Sequence, residues 1–259
     1  MATALAGGIV SAGLIPEARI LASDPHAEAR ELFAQRLPEA TVTDQNAEAV
    51  RTASLVFLSV KPATIDTLLR EVGKAIRPDA LVVSIAAGVT LARLAAKLPK
   101  RTRLVRVMPN TPCLIGRGAS AFSLGDNASQ QDAQQLTALL SAVGYTTQVD
   151  ENLLDAVTGV SGSGPAFVYT VVEALADAGV RAGLPRPVAL ELAARTTAGA
   201  AEMITTTGEH PATLRDQVTS PGGTTAAGLA ELEQQRLPWA LHAAVAAATK
   251  RSQELAECK

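Results

Sequence analysis

Short apolar runs alternate with amphipathic segments along residues 1–151. The runs at residues 55–60, 81–85 and 104–108 are apolar almost without interruption, which is typical of strands buried on both faces of a parallel sheet. Shorter extended pieces are predicted at residues 19–24, 41–43, 119–123 and 145–149. Apolar residues at helical spacing separate the strands, most clearly at Ile65, Leu68, Leu69, Val72 and Ile76. The alternation predicts βαβ units and an α/β, Rossmann-like, largely parallel sheet domain over residues 1–151.

The hydrophobic period changes after residue 152 and is helical from there on. Breaks fall at residues 161–165 and 183–187, and a final helix is predicted from Pro238. We therefore expect an all-α domain over residues 152–259. Its helices are rich in Ala and carry few large apolar residues, so one copy alone would pack thinly. Pairing two copies would bury a continuous core, which predicts an obligate dimer or a larger oligomer.

The front of the predicted sheet is incomplete. Residues 1–12 already form a helical pattern, with Gly13 as a plausible C-cap. A dinucleotide-binding sheet ordinarily begins with a strand and a G-x-G-x-x-G turn that enters this helix. Our hypothesis is that about ten upstream residues, which would carry the first strand and this turn, have been lost. The alternative is a partial sheet, which direct pairing of residues 19–23 with residues 55–60 would indicate.

Net charge, cysteines and histidines limit the kinds of partner, location and metal site that we expect. The net charge is −2 without a long run of one sign, which argues against nucleic acid or an anionic membrane surface as the main partner. Cys113 and Cys258 lie far apart, so a disulfide framework is not indicated and a cytoplasmic location fits best. The three histidines, His26, His210 and His242, lack metal-ligand spacing, and we expect surface or capping roles and no metal.

A stretch between two apolar helical patterns, residues 218–225, suits anion binding. Ser220 is a good N-cap, and Pro221 suits the first helical position. The two following glycines permit close approach, and the N–H groups of Gly223, Thr224 and Thr225 would point out of a helix start. The simpler interpretation is a turn that only begins a helix.

A second ligand-binding region is predicted at the carboxyl ends of the strands. Residues 59–62, 86–88 and 109–111 are polar or glycine-containing segments that leave the sheet at this edge, and Asp24 leaves at the same edge.

Six segments, in this order and spacing, resemble the pyrroline-5-carboxylate reductase family. They are Val60-Lys61-Pro62, Ala86-Ala87-Gly88-Val89-Thr90, Met108-Pro109-Asn110-Thr111-Pro112, Asp155-Ala156-Val157-Thr158-Gly159, Ser161-Gly162-Ser163-Gly164-Pro165 and residues 218–225 with Gly228-Leu229 and Leu232-Glu233. The match covers essentially the whole chain except the missing front. The resemblance implies reduction of L-1-pyrroline-5-carboxylate to L-proline, the last step of proline biosynthesis. It also implies a helical domain interlocked with a second subunit, in dimers that commonly assemble into decamers.

The resemblance also implies a substrate site. The substrate carboxylate would lie on the amides of Gly223, Thr224 and Thr225, with Ser220 in the same loop. The Thr225 hydroxyl would reach the ring nitrogen and is the catalytic candidate. Glu151 would lie near the substrate, and its alternative role is that of an acidic residue at a helix N-terminus.

The implied cofactor is NADP(H), with NAD(H) as the close alternative. The residues expected to bind it are Ser23, Asp24, Asn46, Val60, Lys61, Pro62, Ala86, Ala87 and Gly88. Asp24 favours a free ribose 2′-hydroxyl, whereas Ser23 and Arg30 can accommodate a 2′-phosphate.

Two rival functions remain open at this point. A 3-hydroxyacid dehydrogenase relative would need a lysine in the helical domain, but the chain has none between Lys100 and Lys250. An oligomeric scaffold that lost its phosphate loop is the non-enzymatic alternative. Consumption of NADPH on addition of pyrroline-5-carboxylate would distinguish all three.

Overall fold

The computed structural model describes residues 1–257 and contains two compact units. The first unit comprises Met1–Ser163 with Ala246–Lys259, and the second comprises Gly164–Val245. The two units are groups of residues that contact one another within one chain. The division into domains at residues 1–151 and 152–259 stays a prediction.

The first unit has the predicted alternation of strands and helices. The strands are β1 Leu21–Ser23, β2 Thr41–Thr43, β3 Leu55–Leu58, β4 Leu81–Ser84, β5 Arg103–Met108, β6 Gly118–Leu124 and β7 Gly144–Gln148. The α-helices are α1 Ala2–Ser11, α2 Ala27–Arg36, α3 Asn46–Arg51, α4 Ile65–Val72, α5 Leu91–Ala95, α6 Gln130–Ser141 and α7 Leu154–Val157. Short 3-10 helices occupy Glu17–Arg19, Pro62–Thr64, Thr111–Ile115 and Glu151–Leu153, and a π-helical turn occupies Thr158–Gly162.

The strands form two separate sheets. One contains the parallel pair β1–β2, and the other has the order β3-β4-β5-β6-β7. All neighbours in the larger sheet are parallel except β5 and β6, which are antiparallel. Among the described residues β1 and β3 do not pair, so the arrangement that would have favoured the partial-sheet alternative is not observed. The missing-strand hypothesis stays a prediction.

Strand β4 shows why the apolar runs are continuous. All four of its residues are buried, and alternate side chains enter different cores. Val82 packs with α4 and α5, whereas Leu81 and Val83 pack with α1 and α6. Since helices cover both faces of the sheet, no position along this strand is left for a polar, solvent-facing side chain. The α/β class is confirmed.

The second unit is helical. Its helices are α8 Gly164–Arg181, α9 Arg186–Thr207, α10 Pro211–Gln217, α11 Thr224–Gln234 and the first part of α12 Leu237–Glu257. The buried residues shared by α8 and α9 are alanines, Ala176, Ala189 and Ala193. Many large apolar side chains of this unit stay exposed, including Tyr169 at 62% and Trp239 at 70%. The thin packing predicted for one copy of this helical region is therefore present in the structure.

No helix in the part of the chain that the structure describes is both long enough and apolar enough to cross a membrane.

Candidate active site

Strands β3, β4 and β5 are adjacent and parallel, so their carboxyl ends lie at one edge of the sheet. The segments predicted to bind a ligand, residues 59–62, 86–88 and 109–111, directly follow these three strands. The structure therefore brings together three of the four segments expected at this edge. The fourth, at Asp24, follows β1 in the smaller sheet.

The segment after β4 is a tight turn made of small residues. Ala86 is buried, and its carbonyl accepts the N–H of Val89 at 3.4 Å. Gly88 has a φ of +71°, in the left-handed region that favours glycine. A Cβ atom added to Gly88 would lie 3.3 Å from Cβ of Leu255. The turn therefore lies directly against the end of α12.

The segment after β3 presents polar groups beside a proline. Lys61 precedes the 3-10 helix that begins at Pro62, and its carbonyl accepts the N–H and the hydroxyl of Thr64 at 3.0 and 2.8 Å. Val60 packs partly against the core, whereas Lys61 is exposed. The hydroxyl of Ser59 is buried and has no hydrogen-bond partner among the described residues. A buried, unpaired hydroxyl at a sheet edge is a polar group that a bound ligand can satisfy.

The end of β1 places a guanidinium beside the main chain of Asp24 and Pro25. Nη1 of Arg30 donates to the carbonyl oxygens of Asp24 and Pro25, at 2.8 and 3.0 Å. The Asp24 carboxylate accepts the N–H of His26 at 2.9 Å, and Ser23 is half-buried beside it. Ser23, Asp24 and Arg30 therefore lie together where β1 leads into α2.

Asn46 already has a partner on the protein surface. It is the first residue of α3, and its side-chain amide donates to Glu71 at 3.1 Å on the surface. Its role in cofactor binding stays a prediction.

Glu151 belongs to a cluster around a buried arginine. Nη1 of Arg106 lies 3.2 Å from Oε1 of Glu151, and Nη2 lies 3.6 Å from Oδ1 of Asp155. Glu151 also accepts the N–H of Leu91 at 2.7 Å, and Asp155 accepts the hydroxyl of Ser252 at 2.7 Å. Arg106, Asp155 and Ser252 are not among the site residues that the sequence predicts. The available signal was an arginine inside an otherwise apolar strand, because a buried arginine requires a partner.

Asn110 fixes the segment after β5. Its side-chain oxygen accepts the N–H of Ala119 at 2.8 Å, and its side-chain amide donates to the carbonyl of Ser161 at 3.1 Å. Ser161 lies in the π-helical turn, where a Cβ added to Gly162 would come within 2.4 Å of Cε of Met108. This part of the predicted ligand edge is therefore held by structural contacts.

The anion-binding stretch of the second unit differs from our expectation in one respect. We predicted Ser220 as the N-cap and Pro221 as the first helical residue, and this is wrong. Gly222 has a φ of +68°, and the N–H of Gly223 donates to the carbonyl of Ser220 at 3.0 Å, so these residues form a turn before the helix. Helix α11 begins at Thr224 with Gly223 as its N-cap.

The later start changes which groups are free at the helix tip. The first N–H groups of a helix have no acceptor within that helix, so Thr224 and Thr225 present theirs outward. Thr224 is exposed and Thr225 is half-buried. The N–H of Gly223 already has an intrachain acceptor, and the role of this residue in substrate binding stays a prediction, as does that of Ser220.

His26 and His210 lie at helix starts, and Cys113 is a free, buried thiol. Nδ1 of His210 accepts the N–H of Ala212 and caps α10, which confirms a capping role. His26 is the N-cap residue of α2, and the ring of His242 lies 6.5 Å from that of Trp239. Cys113 is free, and its burial raises the pKa of its thiol. Cys258 lies outside the described residues.

Comparison with known proteins identifies a family for this chain. A family model for pyrroline-5-carboxylate reductase dimerisation matches residues 151–255. A curated pyrroline-5-carboxylate reductase from Pisum sativum is 43% identical over 255 residues, which cover 98% of this chain and 92% of that protein. The chain belongs to the pyrroline-5-carboxylate reductase family. A second model, described as NADP oxidoreductase coenzyme F420-dependent, matches residues 1–88.

Solved structures of the pyrroline-5-carboxylate reductase family agree with this assignment. A pyrroline-5-carboxylate reductase from Coxiella burnetii superposes with a TM-score of 0.91 at 31% identity, over 98% of this chain and 94% of that chain. A pyrroline carboxylate reductase from Plasmodium falciparum, solved with NADP bound, gives a TM-score of 0.87 at 30% identity over 98% of this chain and 93% of that chain.

Proposed function

We propose that this protein reduces L-1-pyrroline-5-carboxylate to L-proline with NADP(H), as an oxidoreductase acting on a C=N bond in proline biosynthesis. The observation that carries the proposal is the 43% identity to a curated pyrroline-5-carboxylate reductase over 98% of the chain. The relative solved with NADP bound supports the choice of cofactor.

The residues at the sheet edge fit a nicotinamide cofactor. The turn at Ala86, Ala87 and Gly88 carries no side chain larger than a methyl group, so a flat ring can approach the main chain closely. Lys61 and Pro62 follow the adjacent strand, and Ser59, whose hydroxyl is unpaired among the described residues, lies two residues before Lys61. When bound, the cofactor supplies the hydride that the reaction requires. The described residues hold it in place and contribute no redox chemistry of their own.

The loop after β1 is where the two nicotinamide cofactors would be distinguished. Arg30 is held beside this loop by its bonds to the carbonyls of Asp24 and Pro25, so its positive charge is positioned for a ribose 2′-phosphate. Replacing Arg30 with alanine should raise KM for NADPH and leave KM for NADH nearly unchanged. A similar change for both cofactors would exclude a role of Arg30 in this choice.

The tip of α11 suits the substrate carboxylate. The outward N–H groups of Thr224 and Thr225 and the positive end of the helix dipole both favour an anion there. The cyclic imine is basic enough to arrive as an iminium, so the protein mainly has to position it. In this proposal the Thr225 hydroxyl forms a hydrogen bond to the ring nitrogen and is the catalytic group.

Self-association through the helical residues is part of the proposal. The matched model is a dimerisation model, and the second unit exposes large apolar side chains that a second copy would cover. We propose a dimer as the basic assembly and a decamer built from such dimers. A cytoplasmic location without nucleic-acid or membrane partners completes the proposal.

The decisive experiment measures the loss of NADPH absorbance after addition of L-1-pyrroline-5-carboxylate. Thr225→Val, which removes the hydroxyl at nearly constant volume, should lower kcat roughly 100-fold. Thr225→Ser, which keeps the hydroxyl, is the matched control and should retain most of the activity. Absence of reduction by the wild-type protein would refute the function, and equal activity of the two variants would refute the role of Thr225.

A further inference from the structure

Arg106 lies inside β5 and is almost completely buried, with 5% of its side chain exposed. A guanidinium keeps its charge even when buried, so it needs acidic partners. Glu151 and Asp155, one helical turn apart in sequence, provide them. The side chain of Asp155 is 15% exposed and that of Glu151 is 32% exposed. The cluster is therefore a pair of carboxylates oriented by one buried cation.

Each carboxylate accepts a second hydrogen bond, from a residue next to the turn at residues 86–90 or from the helix that packs on this turn. Oε1 of Glu151 accepts the N–H of Leu91, the first residue of α5 and three residues beyond Gly88. That N–H has no acceptor within its own helix, and Glu151 supplies one from 60 residues further along the chain. The hydroxyl of Thr90 accepts the N–H of Arg93 at 3.2 Å, so the start of α5 is held by two side chains.

The second carboxylate holds the other side of the turn. Oδ1 of Asp155 accepts the buried hydroxyl of Ser252 in α12. Ser252 lies three residues before Leu255, whose Cβ is the nearest atom to a side chain added at Gly88. Arg106 thus orients two acceptors. Glu151 holds Leu91, which follows the turn, and Asp155 holds Ser252 in α12, the helix that packs on the turn.

We propose that Arg106, Glu151, Asp155 and Ser252 are positioning residues that fix the shape of the turn at residues 86–90 for the nicotinamide cofactor. The proposal rests on the proposed function for the identity of that cofactor. It assigns Glu151 a positioning task in place of direct substrate contact, because Oε1 of Glu151 accepts from both Arg106 and the N–H of Leu91. Loss of the cluster should then weaken cofactor binding and leave substrate binding almost unchanged.

Steady-state kinetics of the full chain separate the two tasks. Glu151→Ala should raise KM for NADPH about tenfold, since it removes a charge-assisted hydrogen bond, and should change KM for pyrroline-5-carboxylate by less than about twofold. Glu151→Gln keeps an oxygen acceptor for Leu91 and should give a smaller effect. Ser252→Ala should raise KM for NADPH alone. Asp79→Asn is the matched control, because it breaks an exposed pair with Arg77 in the same unit.

Hydrogen–deuterium exchange without any ligand tests the anchoring directly. Glu151→Ala should accelerate exchange in peptides covering residues 86–93, whereas Glu151→Gln should do so less and Asp79→Asn should not. Unchanged exchange in Glu151→Ala would overturn the proposal, and so would an effect confined to KM for pyrroline-5-carboxylate. If the wild-type protein failed to reduce pyrroline-5-carboxylate but exchange changed as expected, the proposed function would fail and the anchoring of the turn would stand.

Discussion

Replacing Gly88 with alanine should damage both stability and cofactor binding, for two reasons visible in the structure. The backbone of Gly88 is left-handed, with a φ of +71°, which costs a residue with a Cβ about 1–2 kcal/mol. The new Cβ would also lie 3.3 Å from Cβ of Leu255, and that atom cannot move aside by rotating a side chain.

Gly116 provides a matched control for the cost of the left-handed backbone alone. Its φ is also +71°, but no atom lies within 4 Å of the position that a Cβ would take. Alanine at either glycine regains about 0.4–1 kcal/mol, because the unfolded chain becomes less flexible. We therefore expect a net loss of about 1 kcal/mol for Gly116→Ala. Gly88→Ala should lose about 1 kcal/mol more, the typical cost of an overpacked contact.

Thermal unfolding measures the loss of stability, and cofactor kinetics measure the effect on NADPH binding. A loss of 1 kcal/mol lowers Tm by roughly 2–4 °C in a protein of this size. Gly116→Ala should show this change with an unaltered KM for NADPH. Gly88→Ala should show about twice the change, and the displaced turn should raise KM for NADPH roughly threefold to tenfold.

Two results would refute this reasoning. If both variants lost the same stability, the contact with Leu255 would contribute nothing. If Gly116→Ala raised KM for NADPH as much as Gly88→Ala, the effect would reflect general loosening of the fold.

Three further predictions concern other parts of the chain. Gly222→Ala, at a φ of +68° in open space, should raise KM for pyrroline-5-carboxylate without changing that for NADPH, and the reverse pattern would contradict the role of the helix tip. The bond from Arg93 holds the pKa of Asp66 below its usual value, so its stabilising effect is present above about pH 4 and disappears as the pH falls through the lowered pKa. Asp66→Asn should therefore lower the urea midpoint at pH 7, and this difference should shrink as the pH falls below about 4; a pH-independent difference would refute the ionic cause. In a Cys258→Ser background, Cys113 should react with a thiol reagent only upon unfolding, and rapid native labelling would contradict its burial.

The strands could be predicted from sequence because a strand that is buried on both faces consists of consecutive apolar residues. A strand covered on both faces needs an apolar side chain at nearly every position, as at residues 81–83, and this pattern is local. The loops at the sheet edge followed from the same reasoning, since parallel neighbours end on one side. The antiparallel pairing of β5 with β6 was not predictable in this way, because the apolar pattern carries no information about strand direction.

The start of α11 shows the limit of a local rule. Ser220 followed by Pro221 satisfies the preferences of a helix start, yet the left-handed backbone of Gly222 ends that possibility and moves the N-cap to Gly223. Glycine permits both arrangements, so composition cannot choose between them. In the structure, the N–H of Gly223 donates to the carbonyl of Ser220 and closes a turn ahead of the helix.

The sequence by itself determined the α/β class, the helical second half, the residues of the sheet edge and membership of the family. Only the tertiary structure decided that Glu151 and Asp155 meet around Arg106, and that their bonds reach Leu91 and Ser252. The physical reason is range: hydrophobic periods and turn preferences act over a few residues. A buried charge, in contrast, finds its partners wherever the folded chain places them, and here the bond from Arg106 to Glu151 spans 45 residues.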